Sequence, residues 1–290
     1  MKNLDLTISI VNFNTSNLLE KCLISIYQHH KKISFEIFVV DNASTDSSIA
    51  MVQEKFPMVN LIRNDQNLFF TKAHNQALSQ AQGRYSVILN PDLYFEDNAL
   101  EKIINFMDKN NSIGAAGPRI LNLDGSVQGS GDQLPSFLYG LFEVFLINTI
   151  WKTNPIRSNR IRPDWNRDQT ESVESLSGAC MLVRSSLFKD IGLLDERFLI
   201  YWEETDWCKR ILEQGYKIYL FSEAKLYHLG SAGMDLHGKE KKEKIFFNSM
   251  LKYYKKHYGF LVYALFNLIY LFYNVPILKI IRKIKGWIRS

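Results

Sequence analysis

Apolar positions fall in short β-branched runs, separated by longer stretches with helical spacing. Residues 6–12 (Leu-Thr-Ile-Ser-Ile-Val-Asn) read as a buried strand. The next stretch, 16–29, places Leu18, Leu19, Cys22, Leu23 and Ile26 on one helical face, with Ser16 or Asn17 as its cap. A second strand, 35–40, runs into Asp41-Asn-Ala-Ser-Thr-Asp46, and a helix is expected over 47–56. A strand at 59–63, a helix at 71–82 and a strand at 85–89 follow, the last ending on Asn90-Pro-Asp92. Strands alternating with helices predict an α/β fold with a mostly parallel sheet and helices on both faces. Ligands of such sheets bind beyond the carboxyl ends of the strands, where Asn12, Asp41 and Asp92 fall.

After Gly114 the alternation fades. Residues 137–151 are apolar, interrupted by Glu143 and Asn148, and the basic, Pro-containing stretch 152–169 reads as a loop. Strand character returns at 176–184, and 188–198 and 204–214 look like loop-plus-helix elements. With 46% hydrophobic and 22% charged residues the composition is that of a globular protein with no long disordered tract. The three cysteines are too few and too scattered for a disulfide scaffold or a zinc cluster, which fits a reducing compartment. The first residues offer no signal-peptide core, so a cytoplasmic chain is expected. The net charge of +5 is uneven: acids gather in the motifs, while Lys and Arg crowd the chain from Lys239 onward. That asymmetry points to an anionic surface as partner.

Four clusters carry candidate chemistry. Phe13 and Asn14 beside Asp41 and Asn42 could receive a nucleobase and ribose, although Asp41 and Asp46 are also turn and cap residue types. Asp92 after a buried strand could hold a divalent cation, although Asn-Pro-Asp is common in plain turns. In the run Tyr201-Trp-Glu-Glu-Thr-Asp206, carboxylates flanked by aromatics suit a partly dry pocket and a general base. The same acids would also complement a helix dipole. His228, between a strand-like run and the Gly-rich loop at 229–233, could join Asp92 on Mg²⁺ or Mn²⁺.

In this order the four clusters resemble family 2 of the inverting glycosyltransferases, with the GT-A fold, and within it the bacterial rhamnosyltransferase-like branch. Further matching segments are Asn67-Leu-Phe-Phe-Thr-Lys-Ala-His-Asn75, Gly117-Pro-Arg-Ile-Leu with Asp124-Gly125, and Leu176-Ser-Gly-Ala-Cys-Met-Leu-Val-Arg184. The resemblance implies that Phe13, Asn14, Asp41 and Asn42 bind the nucleotide, and that Asn67, Asn75, Ser177, Gly178 and Ala179 line the donor-sugar pocket. It makes Asp92 and His228 the metal ligands and Glu204, with Glu203 beside it, the catalytic base. Tyr201, Trp202 and Asp206 fall to the acceptor. Three positions depart from the family pattern: Asn90 replaces a carboxylate, Glu204 stands for Asp, and Phe69 stands for Gly. The implied activity takes a sugar, first of all rhamnose from dTDP-rhamnose, from a nucleotide-sugar donor. The acceptor is a growing glycan or a lipid-linked sugar in cell-surface polysaccharide synthesis. UDP-sugars form the nearest alternative, and a non-catalytic nucleotide-sugar or glycan-binding partner the next. A nucleotidyltransferase would need a Gly- and Lys-bearing phosphate loop, which Asn12-Phe-Asn-Thr-Ser16 lacks.

The expected organisation is a catalytic domain at 1–238, divided near residue 115 into nucleotide and acceptor halves, and a helical segment at 239–290. Residues 258–278 contain no Asp, Glu, Lys or Arg and would form a helix about 30 Å long. Tyr263, Asn267, Tyr270 and Asn274 share one face of it, which favours an interfacial or packed helix over a lone span. Pro276 is expected to break or bend it. Beyond lies a basic amphipathic pattern, with Ile280, Ile281, Ile284 and Trp287 opposite Lys279, Arg282, Lys283 and Lys285. It suits anionic lipid on the inner face of the plasma membrane. A second copy of the chain is a further candidate partner, while the enzymatic motifs argue against nucleic acid.

Overall fold

Thr7 and Ser9 are as fully buried as Leu6, Ile8 and Ile10, so the first strand is covered on both faces. The computed structural model describes residues 4–229 and 239–278. In chain order they form β1 (Leu4–Asn12), α1 (Ser16–His29), β2 (Phe35–Asp41), α2 (Ser48–Lys55), β3 (Asn60–Arg63) and α3 (Phe69–Leu78). Then come β4 (Gly83–Leu89), β5 (Leu93–Tyr94), α4 (Ala99–Asp108), β6 (Ile113–Leu121), α5 (Phe137–Val144), α6 (Ile147–Ile150) and α7 (Pro155–Ile161). The rest is β7 (Glu171–Val173), β8 (Cys180–Arg184), α8 (Phe188–Ile191), α9 (Glu203–Glu213), β9 (Lys217–His228), α10 (Lys239–Tyr258) and α11 (Phe260–Ile269).

The sheet runs β3-β2-β1-β4-β8-β6-β9-β5, with β7 sharing the outer edge of β9. The stretch β3-β2-β1-β4 is parallel, as the alternation predicts. β8 then enters antiparallel between β4 and β6, and β9 pairs parallel with β6. One apolar core joins this sheet to α1, α2 and α4. On the other face α9 packs through Trp207, Cys208 and Ile211, and α3 through Ala73 and Ala77.

Several local expectations are corrected. Neither Ser16 nor Asn17 caps α1. Its N-cap is Thr15, whose hydroxyl donates instead to Asn12 Oδ1 (2.6 Å), while Asp46 accepts from the Ser16 amide at 2.9 Å. The stretch 152–169 is no plain loop, because Asn154 caps α7 by accepting from the Arg157 amide and Pro155 starts the helix. Arg167 is buried there and donates to the carbonyls of Ser130, Ile161, Arg162 and Trp165, so this cation serves the backbone. Pro276 does not break the last helix, which continues to Leu278 after a widened π turn at Tyr270–Asn274. Such a turn absorbs the missing amide bond.

A third core is mostly helical and rich in aromatics. Tyr253, Tyr254 and Phe266 are fully buried, and Tyr139, Phe198 and Trp202 nearly so. The contacts Phe247–Tyr270 and Tyr254–Phe266 run in opposite chain directions, so α10 and α11 form an antiparallel hairpin about Gly259. The hairpin packs on α5, so the cationic stretch after Lys239 shares a core with residues upstream of 238.

Candidate active site

The parallel register sets Asn12 opposite Asp41. Asn12 donates to Asp41 Oδ1 (2.8 Å) and to Ser44 Oγ (3.0 Å), and the Ser44 amide donates to Asp41 Oδ2 (2.9 Å). Asn42 donates to the Phe69 carbonyl at 3.0 Å, drawing the start of α3 over the strand ends. In front of this lattice lies a cavity of about 360 Å³, lined by Phe13 and Asn42 on one side and by Asn90, Pro91, Asp92 and His228 on another. Its remaining wall includes Asn67, Phe69, Phe70, the segment Ser177-Gly178-Ala179, Tyr201, Glu203, Glu204 and Lys242.

Strand pairing places Leu93 opposite His228, and so brings Asp92 beside that imidazole. His228 Nε2 lies 3.1 Å from Asp92 Oδ1, and Nδ1 lies 2.7 Å from Gln128 Oε1. An Nδ1–H donated to Gln128 leaves the Nε2 lone pair facing a carboxylate oxygen. The Asn90 side-chain amide also reaches Nε2, at 3.4 Å, and imidazole with carboxylate is a donor set suited to Mn²⁺ or Mg²⁺. The residues therefore fit a divalent cation as a pair. Among the described residues no third His, Cys, Asp or Glu side chain completes a metal group. Oxygens of a bound diphosphate would have to fill the shell.

Glu203 and Glu204 open α9 directly after two residues in left-handed backbone, Tyr201 (φ 68°) and Trp202 (φ 72°). Such strain is unusual for bulky residues and gathers at functional sites. Phe69, in the wall of the same cavity, also has positive φ, as do Asn14 and Ala43 in the neighbouring strand-end loops. Trp202 is held from behind by the rings of Phe246, Tyr253 and Tyr254 and by the Arg160 guanidinium, 5.2 Å from its ring centroid. Burial raises the pKa of Glu203 well above that of an ordinary glutamate, the Glu204 charge raises it further, and its Oε2 has no partner among the described residues. Burial also raises Glu204, against backbone hydrogen bonds and the Arg160 charge, which pull it down. Glu203 thus keeps its proton more readily, and the better-compensated Glu204 is the carboxylate left to accept one.

A pocket of this kind, at the carboxyl ends of parallel strands, has known counterparts. The model of the family described as glycosyl transferase family 2 matches residues 7–192. The chain belongs to that family. Over 247 residues it is 28% identical to N-acetylglucosaminyl-diphospho-decaprenol L-rhamnosyltransferase of Mycobacterium tuberculosis, covering 79% of this chain and 78% of that protein. It is 24% identical over 218 residues to a low-salt glycan biosynthesis hexosyltransferase of Haloferax volcanii, covering 74% of this chain and 64% of the relative. Among solved structures, GalNAc-T7 with UDP, GalNAc and Mn²⁺ superposes with a TM-score of 0.58 at 15% identity, over 78% of this chain and 44% of that one. S. aureus TarS 1-349 in complex with UDP gives 0.56 at 16% identity, over 92% and 70%. These neighbours share the GT-A fold.

In this family 2 glycosyltransferase the expected site residues divide into two groups. Phe13, Asn42, Asn67, Asp92, Ser177, Gly178, Ala179, Tyr201, Glu203, Glu204 and His228 line the cavity. Asn14, Asp41, Asn75, Trp202 and Asp206 do not. Asp41 is 1% exposed with both carboxylate oxygens committed to Asn12 and Ser44, so it shapes the 41–46 loop from within. Asn14 accepts from the Thr45 amide (2.7 Å) in the same loop. Asn75 holds Leu194 by both backbone groups, fixing the approach to the turn before α9. Asp206 is fully buried and pairs with Arg210 (2.9 Å), Lys256 (2.6 Å) and His257 (2.8 Å), tying α9 to α10. The four polar residues among them share one feature: an acid or amide inside a motif can face the protein as readily as the cavity. Phe70 and Lys242 were missed. The aromatic ring reads as core, and the lysine sits in a charge run far from any motif.

Proposed function

We propose that this glycosyltransferase inverts the anomeric centre of a nucleotide-sugar, transferring rhamnose from dTDP-rhamnose to a lipid-linked glycan at the inner face of the plasma membrane. The observation that carries the reading is one cavity holding the Glu203-Glu204 pair, the Asp92–His228 pair and the Ser177-Gly178-Ala179 segment. A Cβ at Gly178 would lie in ordinary contact with Phe70 (3.6 Å) and Glu204 (3.7 Å), so this segment passes close to the carboxylate pair. Glu204 removes the proton of the acceptor hydroxyl, whose oxygen bonds to the anomeric carbon while the bond to the nucleoside diphosphate breaks on the opposite face. Asp92 and His228 would hold a divalent cation, which supplies charge neutralisation for the departing diphosphate. Phe13 and Asn42 receive the nucleotide, and Tyr201 borders the acceptor side.

Rhamnose rests on the similarity to the mycobacterial rhamnosyltransferase, whose name also contains a lipid diphosphate. UDP-sugars are the second reading, favoured by the fold shared with structures determined with UDP. Thermal-shift titration against dTDP-, UDP- and GDP-sugars with Mg²⁺ or Mn²⁺ separates the two. Stabilisation by NAD alone would sink both.

The base is tested by Glu204→Gln. Transfer is expected to fall by about 10²- to 10⁴-fold with donor binding retained. Because burial raises Glu204, the acid limb of the wild-type kcat profile should lie above the pKa of an ordinary glutamate. Undiminished transfer by the variant would remove Glu204 from this role.

Membrane attachment is supported by α11. The polar stripe of α11 and the π turn that continues it lies inward, with Tyr263, Asn267 and Tyr270 half-buried and Asn274 fully buried and donating to the Val144 carbonyl, while Leu261, Leu265, Leu268 and Phe272 are exposed. Phe260–Leu278 has a mean hydropathy of 1.7 and is long enough to cross a membrane, by length and composition only. One face is already packed on the protein, which favours lying in the leaflet. The basic amphipathic stretch from Lys279 and the Gly-rich loop at 230–233 lie outside the described residues.

A further inference from the structure

The cavity wall carries three carboxylates, Asp92, Glu203 and Glu204. Among the described residues one side chain of permanent positive charge lines it, and that is Lys242. This lysine comes from α10, beyond the 7–192 stretch that the family model covers. The helix is anchored at the site along its length. Lys241 Nζ lies 5.9 Å from the Phe69 ring centroid, Phe246 packs on Tyr201 and Trp202, and Ser249 Oγ donates to the Ile200 carbonyl at 3.0 Å. Lys242 is accordingly half-buried at the cavity and on the same side as the Phe69 loop, which Asn42 ties to the nucleotide end.

A nucleoside diphosphate is polyanionic, and in a cavity with these carboxylates it needs cationic neighbours. A lysine supplies a mobile point charge, well suited to following phosphate oxygens as they become a leaving group. We propose that Lys242 binds the donor diphosphate, adding a protein cation from the C-terminal hairpin to the site built by Asp92 and His228. The proposal rests on the nucleotide-sugar reading and adds to it a protein cation, Lys242, that the reading lacks.

Calorimetric titration of the full chain with UDP and dTDP, and with uridine and thymidine as diphosphate-free controls, tests it. Lys242→Ala should weaken binding of the diphosphate that the wild type prefers by about tenfold, and leave nucleoside binding unchanged. Lys242→Arg should stay within about threefold of wild type, because the charge is kept. The salt dependence of diphosphate binding should become shallower in the Ala variant. Unchanged diphosphate affinity in Lys242→Ala overturns the assignment, as does an equal loss for nucleoside and diphosphate, which would mark a purely structural residue. If the wild type binds neither diphosphate, the donor reading itself falls, an outcome distinct from a variant that matches a binding-competent wild type.

Discussion

His74 is fully buried, with Nδ1 2.7 Å from Ser9 Oγ, the Phe70 ring against it, and Nε2 without a hydrogen-bond partner among the described residues. Burial pushes its pKa down to about 3, and burial likewise pushes His30 down to about 4. An unfolded histidine takes up its proton near 6.5, so between that value and the folded one the unfolded chain binds more protons. Stability from these two imidazoles is complete above 6.5 and declines as pH falls, by up to about 1.4 kcal/mol per pH unit for each. Urea midpoints measured from about pH 7 to about pH 4 should therefore drop, and His74→Gln should make the decline shallower. A flat profile in the wild type would contradict the buried neutral state. Phe69 shows a different limit at this scale. Its φ of 63° is what glycine adopts freely, which accounts for the glycine expected from the family pattern; here a phenyl ring takes the left-handed backbone and walls the cavity.

Elements meet where side chains allow it, and Gly140 on α5 marks the closest approach in the helical core. A Cβ there would lie 2.4 Å from Tyr254 and 2.5 Å from Phe266, both fully buried rings that have nowhere to move. Helix propensity alone favours Gly140→Ala by about 1 kcal/mol. Overpacking should win, with a net loss of about 1–3 kcal/mol in urea denaturation. Stabilisation by the substitution would mean that α5 and the α10–α11 hairpin sit farther apart. Secondary structure in this region was poorly legible, because α7 is short and basic and owes its existence to the Asn154 cap. The four parallel strands and α1 were legible, since each carries its own period over enough residues.

At the scale of the molecule, the hairpin gives the catalytic domain one outward apolar face. Leu261, Leu265, Leu268 and Phe272 recur at intervals of 4, 3 and 4 residues and are 83%, 44%, 54% and 79% exposed, so burying them in lipid would release a contiguous stripe from water. Wild-type protein should float with vesicles of phosphatidylglycerol and phosphatidylethanolamine. Leu261→Glu combined with Phe272→Glu should remain in the aqueous fraction, with an unchanged melting temperature, because these two side chains are the most exposed of the four. Equal flotation of both proteins would separate this face from membrane binding. Because α10 also holds Trp202, the exposed apolar face and the turn before Glu203-Glu204 share one aromatic core.

The parallel half of the sheet, the helices flanking it and the identities of the candidate catalytic residues were set by the sequence alone. Hydrophobic period and strand-end chemistry are local and repeat along the chain. Which motif residues face the cavity was decided by tertiary structure. Asp41 and Asp206 turn inward because amides and cations from distant segments reach them, and those partners are about 30 to 50 residues away. The inward turn of the polar stripe on α11 and the arrival of Lys242 at the active site were likewise decided there. Both depend on how the α10–α11 hairpin packs on α5 and the catalytic turn, a non-local contact that no periodicity records.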